Sequence, residues 1–420
     1  MVQGWKQIPG SESQYWKALS ELETSFQSLV FSCALLNFVQ ANKNTELLLS
    51  MRRSLLDSFI KIAITTKIKP DVYFVEQCKP FLKLLTHEEF KSLLLPALLK
   101  AMLRSPEIIL GCVGQVLASI SIDLSAYASD LAKPIVTCLH SKEDVTRAEA
   151  AIATEALAKQ CSEATAVRGL LNLYFGVLQG SEGKLTLASH KISVLEGIGY
   201  LSKHCSTGAS TQQLSCDAAE HFVKILDTEI HEGTLNQALS ALLLWANRFT
   251  AAIPKSLMEM FKKGMGLKTS TPGIRTGYVR CMVASLHGES LPQGIELIPV
   301  LFKSLERATA QPTQAAVVSE GLTAANLLLR CANLDVKVFM KSFFKSIQFF
   351  IILSNYFRRK ISAVLFGVFF LMEKNCYSSM RKCCLLTARR YGTKLSYTAN
   401  RSLSTMNNVL VIKRRLTTVR

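Results

Sequence analysis

Thr86-His87-Glu88-Glu89-Phe90-Lys91-Ser92-Leu93-Leu94-Leu95-Pro96-Ala97-Leu98-Leu99-Lys100-Ala101-Met102-Leu103-Arg104-Ser105-Pro106-Glu107 reads as one helix followed at once by the start of another. Thr86 and Glu89 form a capping-box pattern: the hydroxyl can accept from the Glu89 amide while the carboxylate reaches back to the Thr86 amide. Phe90, Leu94, Leu98 and Met102 then fall on one helical face. Ser105 is expected to cap the next helix. Pro106 takes the first helical position, where no N–H is needed, and Glu107 favours the positive helix end.

Ser141-Lys142-Glu143-Asp144 is expected to open a helix in the same way, with Val145, Ala148 and Ile152 behind it. After Gly180-Ser181-Glu182-Gly183 the pattern resumes with Leu185, Ala188, Ile192, Leu195 and Ile198. From about Ser11 to Leu334 the chain continues so, in roughly fourteen helices joined by links of about 2 to 8 residues, which implies antiparallel neighbours. Pairs recurring at about 40 residues have the spacing of HEAT-type repeats. A compact helical bundle is the alternative, but the helix lengths are uniform and none is apolar all round, as a central helix would be. The expected fold is therefore an all-α HEAT solenoid. Its working surfaces would be a concave face and a loop edge, which suits a scaffold or, as an alternative, a HEAT adaptor for a protein cargo.

The charge is uneven. The 420 residues carry a net +18, but Val336 to Arg420 hold 17 Lys/Arg against one acid, Glu373, leaving the first 335 residues close to neutral. Two kinds of polypeptide are therefore expected, an array over 1–335 and a basic tail over 336–420. The longest apolar run of the tail, Ile361 to Met372, is 12 residues, against the ~20 that a spanning helix requires, so no transmembrane span is expected. The tail could act as a nucleic-acid or membrane-surface binder, or be translated sequence foreign to the array. Met1 to Pro9 lacks a secretory signal pattern, and the twelve cysteines include no Cys-x-x-Cys pair, so a reducing cytosol is expected with cysteines as small core residues.

Fragments that suggest chemistry fail on spacing. Gly180-Ser181-Glu182-Gly183-Lys184-Leu185-Thr186 has Leu178 and Leu185 where a phosphate loop needs Gly and Ser or Thr, so an interhelix turn is expected. Gly197-Ile198-Gly199 lies inside an apolar helical pattern and reads as small residues admitting a close neighbour. His87-Glu88-Glu89-Phe90-Lys91 has Lys91 where a zinc-protease helix needs its second His, and none of the seven histidines has an i, i+4 partner. The sequence thus leads us to expect no enzyme, no cofactor, no metal and no small-molecule substrate.

Basic clusters are the candidate binding features. Lys255, Lys262, Lys263, Lys268, Arg275 and Arg280 surround the turn Gly266 to Gly273 with one acid, Glu259, among them. Two helix ends and a link would present them together to phosphate backbones or an acidic protein face. An ordinary solvated helix surface is the alternative. A second cluster, Arg52, Arg53, Lys61, Lys67, Lys69, Lys79 and Lys83, is diluted by Asp57, Asp71 and Glu76.

Collinear segments carry a resemblance: Leu103-Arg104-Ser105-Pro106-Glu107, Asp123-Leu124-Ser125-Ala126-Tyr127-Ala128, Leu157-Ala158-Lys159-Gln160-Cys161-Ser162, Gly180 to Thr186, His231-Glu232-Gly233-Thr234-Leu235 and Leu244 to Thr250. Together with Phe261-Lys262-Lys263 and Leu267-Lys268-Thr269-Ser270-Thr271, they resemble the amino-terminal HEAT array of the general control non-derepressible translational activator family. The likeness runs from about Tyr15 to Leu334. It implies a very large cytosolic, polysome-associated protein that binds ribosomes and promotes activation of the kinase phosphorylating initiation factor two alpha during amino-acid starvation. The family's kinase-engaging and ATPase-binding regions have no counterpart here, so a ribosome partner is implied directly and the kinase only through those other regions. Gly264 and Gly266 depart from the family by standing where helix formers are usual, at about 1 kcal/mol each in a helix.

Overall fold

The computed structural model describes residues 33, 46–70, 72–181, 183–267, 270–309, 314, 316–321 and 323–324. The chain partitions into two units, Met1–Ala324 and Ala325–Arg420, and the second lies wholly outside the described residues, as do the array ends expected near Ser11 and Leu334. Among the described residues every regular element is helical. In chain order they are α1 (Glu46–Phe59, continued by the π-helical Ile60–Ile64), α2 (Val72–Leu82) and α3 (Leu95–Arg104, led in by His87–Glu89 and the π-helical Phe90–Leu94). Then come α4 (Pro106–Ser119), α5 (Ala128–Leu139), α6 (Asp144–Lys159), α7 (Ala164–Gln179), α8 (Ala188–Leu201) and α9 (Ala209–Thr228). The last four are α10 (Glu232–Ala246), α11 (Lys255–Gly266), α12 (Pro272–Ser285) and α13 (Ile298–Thr309).

Packing sorts these helices into two rows. Even-numbered helices pack in sequence, α2 on α4, α4 on α6, α6 on α8, α8 on α10 and α10 on α12. Odd-numbered helices form the second row, α3 on α5 and onward to α13, and each from α3 to α11 also packs against its even successor. This is the HEAT arrangement of stacked antiparallel pairs.

Small side chains hold the even row together. A Cβ on Gly199 of α8 would lie 3.1 Å from the Cα of Ala241 on α10, and one on Gly114 of α4 would lie 3.5 Å from the Ala153 backbone on α6. A Cβ on Gly197 would meet the Tyr174 ring and Leu139 at 3.0 Å, so the two glycines admit close neighbours, as their sequence context suggests. Trp245 is fully buried between these helices and donates its indole N–H to the Ile198 carbonyl at 2.8 Å. Gly264 has the same explanation: a Cβ there would stand 2.5 Å from the Tyr278 ring of α12. Its helix-propensity cost is the condition for α11 and α12 to pack.

The helix starts are partly as expected. Thr86 and Glu89 form both bonds of the capping box. Ser105 makes no side-chain cap; its carbonyl instead accepts from the Ile108 and Ile109 amides. The α6 N-cap is Glu143, also without a side-chain cap; Ser141 lies two residues earlier, where its Oγ accepts from the Glu143 amide at 3.3 Å and reaches no amide inside the helix. After Gly180 the helix resumes at Ala188, not Leu185. Gly180 itself ends α7 in the left-handed region (φ 96°), where Ser181 N–H closes onto the Gly176 carbonyl at 2.9 Å. The phosphate-loop look-alike is thus a glycine helix cap and its turn.

Cys33, Cys78, Cys112, Cys138, Cys161 and Cys281 are buried, and burial pushes the Cys112 thiol up to about 12. Inert core packing follows for these six.

Candidate functional site

The alternation of rows creates four surfaces: the outer face of each row and two loop edges. One edge carries the turns from odd to even helices, the other the turns from even to odd.

On the even-to-odd edge, consecutive repeats are joined by hydrogen bonds. Tyr127 Oη meets His87 Nε2 at 2.6 Å. Leu124 N–H donates to the Gln160 carbonyl at 2.8 Å, and Ser125 Oγ accepts from the amides of Ser162 (3.1 Å) and Glu163 (3.0 Å). Ser206 Oγ donates to the Ser162 carbonyl at 2.7 Å and Cys205 N–H to the Cys161 carbonyl at 2.9 Å. Arg248 donates to the carbonyls of His204 and Ser206, both at 3.1 Å. Gln212 spans to Thr250, Ala251 and Ala252, and Gln293 pairs with both backbone groups of Ile253.

Two titratable groups mark this edge. Partial burial works against the Asp123 carboxylate, but hydrogen bonds from Ser125 and Ser162 outweigh it and hold its pKa below the usual range. Burial, reinforced by Arg248, pushes the His204 imidazole down to about 4, so it packs neutral beside Trp245.

The basic cluster around Gly266 to Gly273 is not gathered as the sequence suggests. Lys255 is exposed at the start of α11 and makes no ion pair among the described residues. Lys262 binds Glu259 at 2.7 Å and Glu296 at 3.1 Å, which raises its pKa, and Lys263 binds Asp227. Arg280, on the even row, binds Glu320 at 2.8 Å. Lys268 lies outside the described residues. Arg275 is the clear correction: it is only 7% exposed and donates to the Ser270 carbonyl at 3.0 Å, bracing the turn from within. Arg147 does the same in its own repeat, donating to the carbonyls of Ser141 and Lys142 at 2.8 and 3.0 Å. Arg307 reaches back to the Gly266 carbonyl at 3.0 Å. In the second cluster Arg52, Lys69 and Lys79 are likewise held by Glu89, Glu149 and Glu76.

The cations differ in whether a carboxylate holds them. On the even row Lys79, Lys159, Lys191 and Arg280 each hold a carboxylate, and Lys203, just beyond α8, does too. On the odd row Arg52, Arg168, Lys262 and Lys263 are paired as well, whereas Lys100, Lys133, Lys224, Lys255 and Lys303 are exposed and make no ion pair among the described residues. Asp130 and Glu220 are interleaved with them, so the face is studded with separate charges and has no dense patch. Lys79 and Lys159 are held by a carboxylate of their own helix, whereas Lys191, Lys203 and Arg280 are held by one 38 to 48 residues away, which only the stacking brings near. Among the described residues no cluster of His, Cys, Asp or Glu could hold a metal, and no helix is long and apolar enough to cross a membrane.

Compared with known proteins, residues 52–185 match the family described as stalled ribosome sensor GCN1 N-terminal. The stalled ribosome sensor GCN1 of Homo sapiens is 41% identical over 331 residues, 79% of this chain and 12% of that protein. The Mus musculus protein of the same name is 40% identical over 333 residues, with the same two coverages. Protein ILITYHIA of Arabidopsis thaliana is 26% identical over 283 residues, 67% of this chain and 10% of that one. The chain therefore spans about an eighth of the length of its human and mouse relatives. Among solved structures, Kap121p bound to RanGTP superposes with a TM-score of 0.52 at 13% identity, covering 97% of this chain and 40% of that one, a likeness of fold alone.

Proposed function

We propose that this chain, whose residues 52–185 match the family described as stalled ribosome sensor GCN1 N-terminal, is a non-catalytic scaffold segment that shares in binding the ribosome. The observation that carries this reading is the 41% identity over 331 residues to the human protein. In a cytosolic setting the segment would hold part of a long array on the ribosome. Promotion of the starvation kinase would fall to regions outside the matched length. The division into an array over 1–335 and a separate basic tail belongs to the same proposal.

The odd-row lysines Lys100, Lys133, Lys224, Lys255 and Lys303 are the proposed phosphate contacts, because no carboxylate must be displaced before they bind. Lys262, Lys263 and Arg280 are weaker contributors, since a phosphate must compete with their acids.

Co-sedimentation with purified ribosomes over a salt series tests this, with and without residues 336–420. Reversing Lys100, Lys133, Lys224 and Lys255 to Glu should weaken binding about tenfold or more and flatten its salt dependence. Binding that resides wholly in residues 336–420 refutes the reading in favour of a polyanion-binding tail, whose 17 Lys/Arg make it the competing candidate.

A further inference from the structure

The odd-to-even edge carries at least one exposed aliphatic side chain at each described turn. Ile68, Leu103, Val145, Leu187, Ile230 and Leu267 lie at or beside six successive turns, and Ile230 (92%), Leu103 (79%) and Ile68 (78%) are the most exposed. Of the ten large apolar side chains exposed among the described residues, eight lie on this edge, counting Val72 and Tyr73 at the start of α2. Scattered surface leucines need no explanation, but a recurrence at every repeat on one edge is a ladder.

Lysines accompany it. Lys67, Lys142 and Lys184 are exposed in the turns bearing Ile68, Val145 and Leu187 and make no ion pair among the described residues. Of the acids nearby, Asp144, Glu149 and Glu229 are held by Arg147, Lys69 and Lys191. Glu107 and Glu232 are exposed beside Leu103 and Ile230, and Glu143 is exposed beside Lys142, so a partner's acids belong opposite Lys67 and Lys184.

Two facts select the partner's backbone. Stacked helices lie about 8–10 Å apart, so rungs recur at about that interval, which seven residues of α-helix cover at 1.5 Å each. The turn carbonyls that an extended peptide would pair with are largely taken: Thr65 and Thr66 by Arg104, Ser141 and Lys142 by Arg147, Gly266 by Arg307 and Ser270 by Arg275. A helix brings its own backbone bonds already made. We propose that the odd-to-even edge docks an acidic amphipathic α-helix of another protein, with an aliphatic residue at every seventh position flanked by Glu or Asp. This edge is separate from the odd-row face proposed above for the ribosome.

The test uses the full 420-residue chain and a synthetic helix of about 28 residues, ~42 Å long, with Leu at every seventh position flanked by Glu. Two control peptides carry Lys in place of the Glu, or the same composition with the leucines scrambled. Fluorescence anisotropy should give saturable binding of the Leu/Glu helix at least tenfold tighter than either control. Combined Val145→Glu, Leu187→Glu and Ile230→Glu should weaken it at least tenfold, as should the uncharged triple change to Ser, with melting and ribosome co-sedimentation unchanged. No saturable binding, equal binding of the controls, or binding unaffected by both triple variants overturns the proposal. So does concentration-dependent self-association that the triple variants abolish, since the ladder would then serve a second copy of this chain.

Discussion

The two loop edges of one array are built on opposite terms. On the even-to-odd edge Ser125, Ser162, Ser206, Gln212, Arg248 and Gln293 spend their hydrogen-bonding groups on the next repeat, leaving few for a visitor. On the odd-to-even edge the arginines brace turns from behind, and what reaches solvent is one or more aliphatic side chains at each turn, with separate lysines and acids between them. One edge transmits register along the array; the other is kept available. A repeat protein gains stability from its nearest-neighbour interfaces, so residues stitching repeats together and residues offered outward divide between surfaces.

The largest way to break this contrast is to break the stacking that produces both edges. Gly199→Leu would force side-chain carbon onto the Ala241 backbone and should destabilise by about 3 kcal/mol, read by urea denaturation. A loss below about 0.5 kcal/mol would mean that the even row is not the spine. Next in size is acid sensitivity. His204 has its folded-state pKa lowered to about 4, so its contribution is full above the unfolded value near 6.5 and is lost as pH falls from about 6.5 to 4. His204→Phe should flatten stability over that window, and an unchanged slope would contradict the neutral packed histidine. Asp123, also lowered, adds a loss only at more acidic pH, below the usual aspartate range.

Smaller still, Ser125→Ala or Arg248→Ala should each cost about 1–2 kcal/mol by removing bonds between repeats. The matched substitutions on the other edge, Leu103→Ser or Ile230→Ser, should stay within about 0.5 kcal/mol of the parent. Comparable losses on both edges would erase the distinction between a stitched edge and an offered one.

Much of the architecture can be read directly from the chain. The Thr86–Glu89 capping box, the apolar stripe from Phe90 to Met102 and the Gly180 stop are local signals, each carried by residues within one or two turns of helix. The expectations at Ser105 and Ser141 failed because a side-chain cap needs a particular backbone angle as well as a serine; at α6 the helix begins two residues late and Arg147 claims the Ser141 carbonyl. The basic cluster is a different case. Its count of charges was right, but Asp227, Glu296 and Glu320 lie some 34 to 40 residues from Lys263, Lys262 and Arg280, one repeat away.

Helix, period and polar side are thus properties of short stretches, because backbone hydrogen bonding in a helix reaches only four residues along the chain. Which lysine is left unpaired, which glycine is indispensable and which loop edge stays bare are properties of contacts made one repeat away. Side chains about 40 residues apart meet only when the helices stack, so tertiary structure alone settled them.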